Sequence, residues 1–141
     1  ERIIGMKVCN TDMYHFLRVV AGVDKEFAVL SGEDSLFPLH VAAGANGGIV
    51  VTASLLPRTW RRMFDLVSQG RTQEALLLHR KLIPLINLAF AETNPGPLKS
   101  VLDLVGVDAP EVLAPLVQPA FELQARLRSE VEHLLGAYEN A

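Results

Sequence analysis

The 141-residue chain holds a single cysteine, Cys9, which excludes an intrachain disulfide and a multi-thiolate metal site within it and suits a reducing compartment, the cytoplasm. It also lacks a basic surplus. Thirteen Lys and Arg stand against sixteen Asp and Glu, a net charge of -3, and no zinc-finger spacing or glycine-rich nucleic-acid loop occurs, so nucleic acid is not an expected partner. No GxGxxG or P-loop follows any strand-like stretch, which speaks against dinucleotides and nucleoside triphosphates. No apolar run is long enough to span a membrane: "LLLHRKLIPLINLAF" is interrupted by His79, Arg80 and Lys81. His15, His40, His79 and His133 match no zinc spacing and suit core-edge or surface roles, so neither a metal nor another cofactor is expected. The start "ERIIG" has no signal-peptide layout and no initiator Met, and it enters a strand almost at once, which points to a longer protein.

About half of the residues are hydrophobic and 21% are charged, the composition of a globular domain. Three stretches have strand character: residues 3–8, 27–31 and 48–52. Their faces do not alternate cleanly between apolar and polar, as in parallel strands covered on both sides. Helices fit between them. The first covers residues 12–21, with Met13, Phe16, Leu17 and Val20 on one stripe and Gly22 as its stop; the second covers 34–43, with Pro38 near its start. The order is βαβαβ, with parallel right-handed crossovers. The remainder reads as helical: 58–68, 72–92 with a kink at Pro84, 97–105 and 121–138, with Thr72 as an N-cap. A three-stranded parallel sheet alone would leave two apolar edges unpaired. A barrel or larger sheet completed by N-terminal sequence resolves that difficulty.

In such folds ligands gather at the C-terminal ends of the strands, where Lys7, the run Ser31, Gly32, Glu33, Asp34 and the run 49–52 all fall. Lys7 in "RIIGMKVC" admits three readings: it snorkels, it pairs with Glu33 or Asp34, or it acts as an amine nucleophile. Desolvation by Ile4, Met6, Val29 and Val50 would favour the free amine. Gly32 and Gly48 each allow a turn or a close strand-helix approach, and a glycine beside a small carboxylate substrate also exposes backbone N–H groups. Cys9 should point to the same side as Lys7 and reads as packing, having no local histidine or CxxC.

The ordered set "GMK" at 5–7, "VLSGED" at 29–34, "GANGGIVVTAS" at 44–54 and "ETNPGPLK" at 92–99 resembles the C-terminal half of the dihydrodipicolinate synthase and N-acetylneuraminate lyase family, over almost the whole chain. The resemblance implies an α/β fold, a (β/α)8 TIM barrel, of which this chain covers strands six to eight plus the C-terminal helical region. Residues 1–69 would be the barrel portion and 70–141 the helical region. It implies further that Lys7 is the strand-six Schiff-base lysine and that Gly32 and Ile49 border the keto-acid site. No metal and no cofactor are implied, and the assembly is a homo-oligomer, most often a tetramer. The tyrosine and threonines that assist the family's chemistry belong to earlier strands, so the N-terminal half-barrel is an obligatory partner.

Within this resemblance the chain departs at several positions. It has Val8-Cys9-Asn10-Thr11 where an acidic residue commonly follows the lysine, Ser35 where sialic acid lyases carry glutamate, and Val50 where synthases often have serine. Glu33, Ser35 and Val50 are therefore candidate specificity residues. The implied reaction is that of a Schiff-base-forming aldolase or synthase, a lyase acting on pyruvate or a related 2-oxo acid and an aldehyde, with dihydrodipicolinate synthesis first. A 2-keto-3-deoxy-sugar-acid or 4-hydroxy-2-oxoglutarate aldolase is the alternative. A catalytically silent barrel with an assembly or regulatory role is the reading from a different class. "NPGPLK" reads as scaffold, with Pro97 opening a helix.

Overall fold

A computed structural model describes residues 2–139; the outer ends of the 1–69 and 70–141 division lie outside them. The chain forms two compact units, one of residues up to Val50 with Arg61–His79, the other of Val51–Trp60 with the chain from Arg80 onward.

The first unit holds a three-stranded parallel sheet in the order β1-β2-β3. Strand β1 is Gly5–Val8, β2 is Ala28–Ser31 and β3 is only Gly47–Gly48. Lys7 pairs with Leu30, and Val8 with Ser31; Leu30 and Ser31 in turn pair with Gly47 and Gly48. The third strand is shorter than residues 48–52 suggested. Val51–Ser54 instead forms a 3-10 turn, in which the Thr52 carbonyl accepts from Leu55 N–H at 3.1 Å and Leu56 N–H at 3.2 Å. Local turn hydrogen bonds thus prevail over the strand propensity of Val51 and Thr52.

Helix α1 is Met13–Gly22, and it starts there because the Asp12 carboxylate accepts from Tyr14 N–H at 2.8 Å and His15 N–H at 3.1 Å. Its buried stripe is narrower than expected. Phe16 is fully buried and Met13 and Val20 half-buried, but Leu17 is exposed. The stretch expected as one helix over 34–43 divides into a 3-10 turn, Asp34–Leu36, and α2, Phe37–Ala42, with Pro38 in the opening turn, where its missing N–H is harmless. Side chains on the helix-facing side of the sheet form this unit's core: Val8, Val29 and Val50 are buried, and the Phe37 ring fills the space over Gly48, where a Cβ would lie 2.7 Å from it.

Helices α3, Pro57–Ser68, and α4, Thr72–Ala89, follow. Thr72 is the first helical residue, and the Arg71 carbonyl already accepts from Glu74 and Ala75. Helix α4 continues through Pro84 and stops three residues before position 92. In the second unit α5, Gly96–Lys99, and a 3-10 turn, Leu102–Val105, replace one expected helix, and Gly106 closes the turn at a left-handed φ of 82°. Helix α6, Phe121–Leu134, buries Leu123, Leu127, Val131 and Leu134, a single helical stripe, and runs into a wider turn, Leu135–Glu139. Among the described residues no helix is long and apolar enough to cross a membrane.

Candidate active site

Alternation along a strand decides what surrounds Lys7. Met6, Val8, Val29 and Ser31 share one side of the sheet, and Val8, Val29 and Ser31 are buried beneath the helices. Lys7 points to the other side, with Leu30 beside it in register and Cys9 and Gly32 in the next row. The apolar environment expected from Ile4, Met6, Val29 and Val50 is therefore not around Lys7. Ile4 and Met6 alternate away from it, Val29 pairs with Met6, and Val50 is buried on the helix-facing side. Lys7 and Cys9 are both exposed on this chain.

Lys7 takes part in no ion pair among the described residues. The expected pairing with Glu33 or Asp34 is replaced by a looser field. Burial raises the Glu33 carboxyl above its ordinary range, repulsion from Asp34 raises it further, and attraction to the Lys7 ammonium offsets part of that. Asp34 is itself buried, and its carbonyl accepts a 2.8 Å hydrogen bond from His79 Nε2. Ser35 is exposed two residues beyond Glu33.

The ladder continues past the strand ends. Gly32 N–H donates to the Val8 carbonyl at 2.8 Å, and Ile49 N–H donates to the Ser31 carbonyl at 2.8 Å. Neither amide is available to a substrate anion, contrary to what a glycine at this rim suggested; the two residues can border a ligand only through carbonyl or carbon atoms. The Ile49 side chain is exposed, whereas Val50 turns inward and is only 8% exposed, which removes it from the rim. Lys7, Cys9, Gly32 and Glu33 are thus brought together, and Val50 is not.

Behind the rim lies a pair that the spacing of residues did not reveal. Ser31 Oγ and His40 Nδ1 are 2.8 Å apart in full burial, and the His40 ring stacks on Phe16 with centroids 3.9 Å apart. Burial pushes the His40 imidazole below its ordinary range, and its link to Ser31 fixes the residue immediately before Gly32. Asn46 provides a second clamp: its side-chain oxygen accepts from Val29 N–H and its own N–H donates to the Val29 carbonyl, both at 2.9 Å. The only sequence signal for either was a polar residue next to a strand. Among the described residues no three His, Cys, Asp or Glu side chains group as metal ligands.

This arrangement presents a primary amine at a strand end, beside a thiol and a carboxylate, on the side of the sheet opposite the helices. Comparison with known proteins agrees with the order of motifs. Residues 1–134 match the model of the Dihydrodipicolinate synthetase family. The chain is 32% identical over 132 residues to a 4-hydroxy-tetrahydrodipicolinate synthase of Listeria monocytogenes, covering 94% of this chain and 45% of that protein. It is 35% identical over 129 residues to one of Methanothrix thermoacetophila, covering 91% and 44%. The crystal structure of dihydrodipicolinate synthase from Aquifex aeolicus superposes with a TM-score of 0.86 at 30% identity, over 93% of this chain and 45% of that one. The chain spans about half the length of the curated relatives it matches.

Proposed function

Since the chain belongs to the dihydrodipicolinate synthetase family, we propose that it is the C-terminal half of a pyruvate-dependent class I aldolase or synthase in which Lys7 is the Schiff-base amine. Residues 1–69 supply strands six to eight of a (β/α)8 barrel, and residues 70–141 supply the helical region. One observation carries this reading: Lys7, next to last in β1, lies on the side away from the helices, without an ion pair among the described residues, so its amine is directed to where a barrel interior would be.

The unprotonated amine attacks the ketone carbon of pyruvate or a related 2-oxo acid, and the carbinolamine loses water to give an iminium. That cation accepts electron density when the neighbouring carbon loses a proton, and the enamine then attacks an aldehyde carbon. Hydrolysis of the resulting iminium releases product and restores Lys7; the reverse sequence is retro-aldol cleavage. Because the Gly32 and Ile49 amides are engaged in the sheet, donors for the substrate carboxylate come from the N-terminal half-barrel. Gly32 and Ile49 border the keto acid, and half-buried Glu33 with the exposed Ser35 faces the aldehyde.

The activity of the curated relatives favours 4-hydroxy-tetrahydrodipicolinate synthesis. The alternative is cleavage of a 2-keto-3-deoxy-sugar acid or 4-hydroxy-2-oxoglutarate, and the run Val8 to Thr11 keeps a silent assembly or regulatory barrel as the reading outside enzymes. The proposed setting is a cytoplasmic homo-oligomer. Turnover by the complete protein, assayed with pyruvate and a panel of aldehydes and in the cleavage direction with 2-keto-3-deoxy acids, tests the reading. Consumption of pyruvate with one aldehyde supports it, and no turnover in either direction assigns the silent role.

A further inference from the structure

Gly32 owes its identity neither to a left-handed backbone nor to an amide offered to a ligand. Its backbone is not among the left-handed positions, which are Gly44, Gly47, Gly70 and Gly106, so any L-residue could adopt its conformation. Its N–H is held by the Val8 carbonyl and is not offered to a ligand. What it provides is space. A Cβ at this position would lie 2.6 Å from Lys7 Cε and 2.9 Å from the Val8 carbonyl oxygen, and it would collide with Cys9 Sγ. Carbon atoms in proteins do not pack so closely, so the place of the absent side chain is shared by the Cys9 thiol and the last methylene of the Lys7 stem.

We infer that Gly32 is a positioning residue for Lys7: its bare Cα is the seat on which the lysine stem rests, with the Cys9 thiol alongside. This rests on Lys7 being the reacting amine. Cε is one bond from Nζ, so whatever displaces one displaces the other. The physical consequence is an asymmetry between folding and chemistry. A lysine stem is flexible and can rotate away from a new methyl at little conformational cost, while the Cys9 thiol must turn aside and the Val8 carbonyl oxygen, a backbone atom, must move with its strand, so some loss of stability accompanies the change. The amine, however, leaves the place from which it reaches the ketone, and a misplacement of about 1 Å can cost about 100-fold in rate.

In the complete protein, the rate of borohydride-trappable adduct formation at saturating pyruvate is compared between wild type and Gly32→Ala, with thermal unfolding measured alongside. A seat for Lys7 predicts a fall of about 10-fold to 100-fold in the saturated rate with the unfolding transition retained. If Gly32 merely borders the substrate, the variant raises the pyruvate concentration needed for half-maximal rate and leaves the saturated rate unchanged, which overturns the inference while Lys7 keeps its role. Absence of a wild-type adduct on Lys7 overturns both. Should Gly32→Ala not fold, the wild-type protein still decides: a nuclear Overhauser contact between Gly32 Hα and Lys7 Hε supports the seat, and its absence removes it.

Discussion

Truncating Glu139 to alanine should loosen the start of α3, eighty positions earlier in the chain. Oε1 accepts from Arg58 N–H at 2.7 Å, and Oε2 accepts from Thr59 N–H at 2.9 Å and from Thr59 Oγ–H at 2.8 Å. The carboxylate therefore answers two of the donors that the first helical turn leaves without partners, and it places a negative charge at the positive end of the helix. Bonds to a charged acceptor are worth about 1.5–3 kcal/mol each, but these share one group and water can reach the exposed Arg58, so their sum overstates the loss. A lost cap costs about 0.5–2 kcal/mol and the dipole interaction about 0.3–2, which together give about 1–4 kcal/mol. Hydrogen exchange reads this locally. The Arg58 and Thr59 amides of Glu139→Ala should exchange about fivefold faster or more, since 1.4 kcal/mol is a factor of about ten. Glu139→Gln, which keeps one acceptor but turns an amide NH2 toward a donor, should fall between the two. Exchange within about threefold of wild type in Glu139→Ala would refute the reasoning.

Buried His40 and His79 are both held below the ordinary imidazole range by desolvation, with the bond to Asp34 offsetting part of it at His79. As pH falls below about 6.5 the unfolded chain takes up protons that the folded chain refuses, so this stability is full above that pH and is lost below it, by up to about 1.4 kcal/mol per pH unit for each histidine. Glu33, raised in the fold, acts in the opposite sense, so the histidine contribution is read as the flatter pH slope of the urea midpoint in His40→Phe; an unchanged slope would contradict it. The sheet leaves Ile3 and Ile4 at 72% and 77% exposure beside the β1 edge, so residues 1–141 expressed alone should aggregate or unfold without a sharp transition, and sedimentation with far-UV dichroism checks this. A well-behaved monomer with a sharp transition would count against the half-barrel. Native mass spectrometry of the complete protein should show a closed oligomer, a dimer or tetramer; a persistent monomer at micromolar concentration would oppose that reading.

The βαβαβ order was legible because Val, Ile and Leu clusters act locally, within a few residues of the elements they define. The third strand was misjudged at its far end because Val51 and Thr52 have strand composition, while the Thr52 carbonyl closes a turn onto Leu55 and Leu56. Lys7 stood out as a charged residue near the end of an apolar strand, and the ordered motifs around it selected the amine reading, but its neighbours were assigned to the wrong side of the sheet: nearness in sequence ranked Met6 and Ile4 above Leu30 and Gly32, whereas the pleat reverses that ranking. Val50 fell the same way, buried one position past the exposed Ile49. The Ser31 to His40 bond and the Glu139 cap join residues 9 and about 80 positions apart, and no local pattern announces either. Gly32 could be read as a turn glycine until the Lys7 stem was seen to occupy its missing side chain.

Covalent capture tests the central claim most directly. The complete protein is incubated with pyruvate, reduced with borohydride and digested, in wild type, Lys7→Ala and Lys7→Arg, with unfolding and oligomeric state recorded for each. The account predicts a reduced pyruvate adduct on the peptide carrying Lys7 in wild type only, and turnover nearly abolished in both variants although they fold, because arginine keeps the charge but cannot form the same Schiff base. An adduct with full turnover in a folded Lys7→Ala protein would contradict it.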